Sequence, residues 1–242
     1  MSVRGLVACA EVSARAILAG QSGGWGRAEL AAQPAHALAI GQAGCDWARA
    51  VLSDDRRLGS VDHLGEPWAL RLPSMPVENG ELVGHIEDQQ GLYNVNNLVT
   101  EGKLNPAQFA RFQRLLSVLG LPATLADALA DWIDDDDKPQ PRNGAEDEYY
   151  LSLDPPYRAA NRPMIDIDEL TLVRGFDPGV RARLSPFIAA LPGSTAVNVN
   201  TAPPEVLAAL IDGLDLDAAR MLVARRNTSY YRVNADFLAQ LA

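Results

Sequence analysis

The sequence predicts an α+β protein in which strands precede a large helical region. Between residues 66 and 99 the chain alternates apolar and polar side chains, as at Trp68, Leu70 and Leu72, which is the period of a β-strand. From Thr100 onward, apolar residues recur at the spacing of amphipathic helices. A chain of 242 residues can hold one large domain or two small ones.

Strands and one helix are predicted in the first part of the chain. Asn79-Gly80 is a strong hairpin signal and should join the extended segment Trp68–Leu72 to a strand over Glu81–Asp88. A short third strand is predicted over Leu92–Val95. Apolar residues from about Ala28 to Leu52 follow a helical pattern.

The second part of the chain predicts successive helices. Asn105 is expected to cap a helix that begins at Pro106. Further helices are predicted over about Thr124–Asp134, Ile167–Val173, Pro178–Ala190, Thr201–Leu210 and Leu216–Arg226. Asn-Val-Asn occurs at residues 94–96 and again at 198–200, in both cases ahead of a helix, and these Asn side chains are expected to form turns and caps.

Composition limits the classes of partner and compartment. The formal net charge of −10 argues against nucleic acid as a partner, because such binding depends on Lys and Arg contacts to phosphate. Cys9 and Cys45 lack metal-ligand spacing and are expected to be small, mostly buried apolar residues. Glu11 and Arg15 interrupt the apolar N-terminal segment, so it predicts neither a secretory signal nor a membrane span.

The most unusual segment is acidic. Eight of the eighteen residues from Asp131 to Glu148 are acidic, in two clusters at Asp131–Asp137 and Glu146–Glu148 that are separated by a turn containing Gly144. Crowded carboxylates repel one another unless a cation lies between them. Ca²⁺ binds six to eight oxygen ligands and is therefore the expected ion.

A cation site would need residues from both clusters. Asp134 and Asp136 can converge where the preceding helix ends, and Glu146 and Asp147 are the candidates that would complete the site. An EF-hand is excluded, because Lys138 occupies that motif's fifth position and Pro139 its sixth. Spacing alone does not decide between this site and a solvated acidic loop.

Two carboxylates lie on the helix that leads into the loop. Asp127 and Asp131 are four residues apart on the predicted helix and are expected to face solvent. Negative charge at the C-terminal end of a helix is unfavourable, so the acids that follow them require an explanation, and a bound cation supplies one.

Enzymatic function is not predicted. His36, His63 and His85 are scattered, and the sequence has no nucleophile elbow, phosphate-binding loop or dinucleotide fingerprint. The segment Asn198–Arg226 resembles a helix-hairpin-helix unit, so a nucleic-acid-binding protein is the alternative function. Its hairpin, Asp212–Asp217, holds three aspartates that would repel a phosphate.

Several motifs in order resemble the K-type minor pseudopilin of the bacterial type II secretion system. These motifs are ALAIGQAGCDWARAVLSDD (37–55), VDHLGEPWA (61–69), IEDQQGLYNVNNLV (86–99), LADWIDDDDKP (129–139), GAEDEYY (144–150), YRAANRPMIDIDEL (157–170) and NVNTAPPEVLAAL (198–210). The resemblance covers about residues 28–242.

The resemblance implies a fold, partners and a location. The fold would be a pilin-like helix and antiparallel sheet, interrupted by a large all-α domain with helix-hairpin-helix-like units. The protein would be a non-enzymatic subunit at the tip of the pseudopilus, in complex with the I- and J-type minor pseudopilins, and would help protein export across the outer membrane. Family members are expected at the periplasmic face of the inner membrane.

The resemblance also implies calcium binding in the helical domain. Matched residue by residue, the expected ligands are Asp134, Asp136, Glu146 and Asp147. Asp131 and Asp137 are secondary candidates.

The chain departs from the family pattern at both ends. Residues 1–27 match neither a basic leader nor an apolar helix of membrane-spanning length, and the chain ends before the expected C-terminal strands. Three parts are therefore predicted: an atypical segment at 1–27, a partial pseudopilin α/β domain at 28–99, and a helical domain with the acidic loop at 100–242. The chain as given is expected to be soluble, without a transmembrane segment.

Overall fold

The computed structural model describes residues 8–15, 42–57, 59–71, 75–77 and 80–241. These residues form two compact units, the first ending at Asp88 and the second beginning at Gln89. Both strands and helices are present, which confirms the mixed character that the sequence predicts. No helix among the described residues is long and apolar enough to cross a membrane.

The first unit contains helix α1 over residues 42–57 and a three-stranded antiparallel sheet. The strands are β1 (Ala8–Arg15), β2 (Met75–Val77) and β3 (Gly80–Asp88), in the order β1-β3-β2. Ala48, Trp68 and Ile86 form the core of this unit. A hairpin forms near the predicted turn, with Val77 opposite Gly80, but its first strand is Met75–Val77 and Gly80 already belongs to β3; Asn79 itself lies outside the described residues.

Two features of the first unit differ from expectation. The segment predicted to begin a strand at Trp68 instead forms a 3₁₀ helix over Pro67–Ala69. Pro67 fixes a helical φ at the first position of this turn, and the indole N–H of Trp68 donates to Glu66 Oε2 at 2.9 Å. Strand β1 lies in the segment that the sequence identified only as atypical, and it pairs along its whole length with β3.

The second unit is mainly helical. Its α-helices are α2 (Pro106–Val118), α3 (Leu125–Ile133), α4 (Asp147–Tyr150), α5 (Pro178–Leu184), α6 (Pro204–Leu210), α7 (Leu216–Thr228) and α8 (Asn234–Leu238). Its strand pairs are short: β4 (Tyr93–Asn94) pairs in parallel with β7 (Ile188–Ala189), and β5 (Val99–Thr100) pairs antiparallel with β6 (Lys103–Leu104). Its 3₁₀ helices cover Gln89–Gly91, Val95–Leu98, Ile167–Leu172 and Ser185–Phe187.

Helix α2 begins as predicted. The side chain of Asn105 accepts a hydrogen bond from Gln108 N at 3.2 Å, and Pro106 occupies the first turn. Phe112, Leu115 and Leu116 are buried, and α2 packs against α3 and α6. The apolar stripe read from the sequence is therefore the face that forms the core.

Two helix ends differ from the prediction. Helix α5 ends at Leu184 and does not reach residue 190, because Pro186 cannot continue the hydrogen-bond ladder and the chain enters β7. Helix α6 begins at Pro204, with Pro203 at the N-cap position and no side-chain capping bond, whereas the helix was predicted to begin at Thr201. The Thr201 hydroxyl donates instead to Asn198 O at 3.4 Å.

The first Asn-Val-Asn segment holds distant parts of the second unit together. The side chain of Asn94 accepts from Asn96 N at 3.1 Å, which confirms the predicted turn. The Asn96 amide accepts from Met164 N and donates to Met164 O, both at 2.8 Å, and also donates to Leu191 O at 3.0 Å. These buried bonds attach the Asn-Val-Asn segment to the rest of the second unit, which begins at Gln89.

The second Asn-Val-Asn segment repeats this arrangement. The side chain of Asn198 accepts from Asn200 N at 3.0 Å. The Asn200 amide accepts from Tyr231 N and donates to Tyr231 O, both at 2.9 Å. The repeated Asn-Val-Asn sequence therefore forms a repeated structure. In each copy, the side chain of the second Asn is hydrogen-bonded to both the N–H and the carbonyl of one distant residue.

Candidate metal centre

The acidic loop begins at the C-terminal end of the buried helix α3. Every residue of α3 is buried, including Asp127 and Asp131, so the expectation that these two carboxylates face solvent was wrong. Asp127 pairs with Arg142 at 3.3 Å. The backbone of Asp134, the residue that caps α3, is extended, so the chain leaves the helix with this side chain only 3% exposed.

The far end of the acidic loop brings Glu146 close to Asp134. Glu146 precedes the short helix α4 and is 5% exposed. One carboxylate oxygen from each of Asp134, Asp136 and Glu146 lies within 4.8 Å of the others. The structure thus brings together three of the four ligands expected from the sequence, and they come from both acidic clusters.

Several oxygens of this group are buried without a hydrogen-bond partner. They are Asp134 Oδ1 and both carboxylate oxygens of Glu146. Leaving a buried acceptor unpaired costs about 1–3 kcal/mol, and more for a charged group. The converging group of Asp134, Asp136 and Glu146 offers only oxygen donors, which suits Ca²⁺ or Mg²⁺ better than a softer metal.

Burial and mutual repulsion raise the pKa of these carboxyls. The pKa of Glu146 rises to about 8, mainly through burial and then through the charges of Asp131 and Asp134. The pKa of Asp134 rises to about 7 for the same reasons, with Asp131 and Asp136 as the nearby charges. Carboxylates with such values are partly protonated at neutral pH unless a cation compensates for their charge.

The fourth expected ligand has other contacts. The Asp147 carboxylate accepts from Arg158 Nη1 at 2.5 Å and from Ala159 N at 3.0 Å. Asp137 is exposed and borders a cavity of about 640 Å³ that Glu146 and Asp147 also line. Glu146 is the member of the converging group that lines this cavity, and the complete ligand set stays a prediction.

A second acidic group in the first unit was missed from the sequence. Carboxylate oxygens of Asp55, Asp62 and Glu66 lie within 4.8 Å of one another, and the pKa of Asp55 rises to about 6 through burial and the neighbouring charges of Glu66 and Asp62. Glu66 Oε2 already accepts from His63 N at 2.7 Å and from the Trp68 indole. The wide spacing of these residues gave no signal before the fold was known.

Comparison with known proteins identifies the family. One family model described as type II secretion system protein K matches residues 91–193, and a second with the same description matches residues 197–242. The chain belongs to this family. The resemblance found in the sequence is therefore confirmed.

Individual relatives of this chain carry the same description as the family models. The type II secretion system protein K of Pseudomonas aeruginosa is 42% identical over 205 residues, which is 80% of this chain and 61% of that protein. The Aeromonas hydrophila protein of the same description is 36% identical over 197 residues, covering 73% of this chain and 59% of that protein. The chain thus spans about three fifths of the length of these curated relatives.

A solved structure has a similar fold. The match comes from the crystal structure of the GspK-GspI-GspJ complex of the enterotoxigenic Escherichia coli type 2 secretion system, with a TM-score of 0.71 and 30% sequence identity. It covers 81% of this chain and 72% of the matched chain. These relatives give no support to the alternative of a nucleic-acid-binding protein, and the helix-hairpin-helix class of the α6–α7 pair stays a prediction.

Proposed function

We propose that this chain is a minor pseudopilin of the K type, a non-enzymatic subunit at the tip of the type II secretion pseudopilus that helps protein export across the outer membrane. The observation that carries the proposal is the structural match to one chain of the solved GspK-GspI-GspJ complex. By this similarity the proposed partners are the I- and J-type minor pseudopilins. We further propose the periplasmic face of the inner membrane as the site of action.

The first unit supports a pilin-like role. It combines helix α1 with an antiparallel sheet, which are the two parts of a pilin-like domain, and Ala48 of α1 shares a core with Ile86 of β3. In this proposal the first unit belongs to the α/β domain of the subunit, and the helical unit is the large domain inserted into that domain.

The helical unit is proposed to bind calcium. Asp134, Asp136 and Glu146 would hold the ion, with Asp147 as a further candidate. The support is the set of buried oxygens without hydrogen-bond partners on Asp134 and Glu146. A bound cation would neutralise them and connect the end of α3 to the start of α4, so that part of the binding free energy stabilises the fold.

Reconstitution tests the assembly role. The chain is mixed with the purified periplasmic domains of the I- and J-type pseudopilins encoded in the same genome and analysed by size-exclusion chromatography with light scattering. One peak containing all three proteins is expected, at a mass above that of any pair. Separate elution of this chain at micromolar concentrations would contradict the proposal.

Thermal unfolding tests the calcium role. At a calcium concentration about 100 times Kd, the stabilisation should be about 2.7 kcal/mol, which raises Tm by about 5–10 °C for a protein of this size. Magnesium should have a much smaller effect, because it requires near-ideal octahedral geometry and releases its water reluctantly. Identical melting in calcium, magnesium and EDTA would rule out the calcium proposal.

A further inference from the structure

Asp131 contributes to the acidic loop without belonging to the converging group. Its side chain is fully buried in the last turns of α3. Its carboxylate accepts a hydrogen bond from Ala145 N at 2.7 Å, and its two oxygens lie 3.1 and 3.2 Å from Gln140 N. Both of these donors are backbone groups of the returning loop.

Gly144 lies where the returning loop approaches Asp131 most closely. A Cβ atom at this position would lie 2.2 Å from Gln140 N and 2.4 Å from Asp131 Oδ2, and neither distance is sterically possible. Gly144 N also donates to Gln140 O at 3.0 Å, so residues 140–144 form a closed turn. From outside the loop, Arg174 Nη1 donates to Gly144 O at 3.0 Å.

The turn determines where Glu146 is placed. Ala145, whose N–H is bonded to Asp131, directly precedes Glu146 in the chain. Asp134 directly follows α3, the helix that carries Asp131. The Asp131 carboxylate therefore connects the two backbone segments that carry the opposing candidate ligands, through bonds that need no cation.

We propose that Asp131 is a positioning residue and not a ligand: it closes the acidic loop by accepting the N–H groups of Gln140 and Ala145 against Gly144, and so holds Glu146 opposite Asp134 for a divalent cation. The inference deepens the proposed calcium site and rests on it. It assigns Asp131, which the family resemblance made a secondary ligand candidate, to a different role.

The test compares Asp131→Asn and Gly144→Ala with a ligand variant, Asp134→Asn. An Asn at 131 turns an amide NH₂ toward one of the backbone N–H groups, so at least one hydrogen bond is lost. An Ala at 144 forces the turn apart. The charge-matched control is Asp135→Asn, because Asp135 is an exposed residue of the same loop. Each protein is melted in EDTA, and its calcium Kd is measured by titration calorimetry at a temperature where circular dichroism shows it folded.

If Asp131 is a positioning residue, the four variants should give a specific combination of results. Asp131→Asn and Gly144→Ala should both lower Tm in EDTA and also weaken calcium binding by about 10–100-fold, the range typical of residues that orient metal ligands. Asp134→Asn should weaken or abolish calcium binding without lowering Tm in EDTA. Asp135→Asn should change neither quantity.

Two results would overturn the inference. If Asp131→Asn loses calcium binding but melts like the wild type in EDTA, Asp131 is a ligand. If Asp131→Asn lowers Tm in EDTA but keeps the wild-type Kd, its role is only structural. Wild-type protein that binds no calcium is a third, distinguishable result, and it overturns the proposed calcium site itself.

Discussion

Asp134 and Glu146 lie at opposite ends of the acidic loop, yet both are buried and their carboxylates belong to one cluster. Asp134 is 3% exposed and Glu146 is 5% exposed, and three of their four carboxylate oxygens have no hydrogen-bond partner. Two ionised carboxylates in such surroundings repel each other and are poorly solvated. The fold therefore holds a local arrangement that is unfavourable unless a proton or a cation is bound there.

Replacing Glu146 with Gln should separate metal binding from folding. The Glu146→Gln variant removes a buried charge that has no compensating partner, so Tm in EDTA should stay the same or rise. The calcium-induced rise in Tm should disappear, because a neutral amide is a weaker ligand than a carboxylate. Scanning fluorimetry with EDTA, calcium and magnesium measures both effects.

The matched control for this variant is Glu148→Gln. Glu148 is exposed, and this substitution also changes one carboxylate to an amide in the second acidic cluster. It should retain the full calcium response. A calcium response in Glu146→Gln as large as that of the wild type would exclude Glu146 as a ligand.

The stability of the metal-free protein should fall as pH rises. In the folded state the pKa is about 7 for Asp134 and about 8 for Glu146, against 3.8 and 4.5 as ordinary values. Folding therefore takes up protons between about pH 4 and pH 8, and the stability from these groups is fully present below pH 4 and lost as pH rises through the folded pKa values. Urea unfolding in EDTA at several pH values measures the slope.

A substitution and a ligand provide the controls for this slope. Glu146→Gln should flatten the decline in stability, because it removes the group with the highest pKa of the cluster. Saturating calcium should also remove the decline or reverse it, since the bound ion favours the ionised carboxylates. Equal slopes for the wild type and Glu146→Gln in EDTA would contradict the assignment of the pH dependence to this cluster.

Calcium affinity should increase as pH rises, whereas the stability of the metal-free protein should decrease. The ion must displace the protons held by Asp134 and Glu146, so the calcium Kd should increase as pH falls from 8 to 6. Calorimetric titrations in two buffers of different ionisation enthalpy would show proton release on binding. A Kd that does not change over this range would indicate that neither residue binds the ion.

The sequence predicted the approach of the two acidic clusters to each other better than it predicted the residues that surround them. The two acidic clusters and the turn between them are visible as composition, because charged residues in such density are rare in a folded loop. The burial of Asp127 and Asp131 was not visible, because four-residue spacing on a helix shows that two side chains share a face but not what covers that face. Covering α3 on all sides takes contacts from distant segments, which one sequence does not specify.

The sequence predicted those elements of the fold that are determined by residues close together in the chain. Asn105 and Pro106 determine the start of α2 through capping and a fixed φ, and both act within one helical turn. The strand predicted to begin at Trp68 does not form over residues 68–71, because alternation over so few residues is weaker than the turn that Pro67 imposes. The partners of Asn96 were not predictable, since an amide can bond any backbone group and Met164 is far away in the chain.

The Asn96 amide should be one of the most important polar groups in the second unit. In the Asn96→Ala variant, the N–H and carbonyl of Met164 and the carbonyl of Leu191 lose a buried partner, which should lower the free energy of unfolding by about 2–4 kcal/mol. Urea unfolding followed by circular dichroism measures this loss. Asn227 is exposed on α7, so Asn227→Ala should change stability by no more than about 0.5 kcal/mol. Equal stability of the two variants would show that the paired amide at Asn96 does not hold the segments at Met164 and Leu191 together.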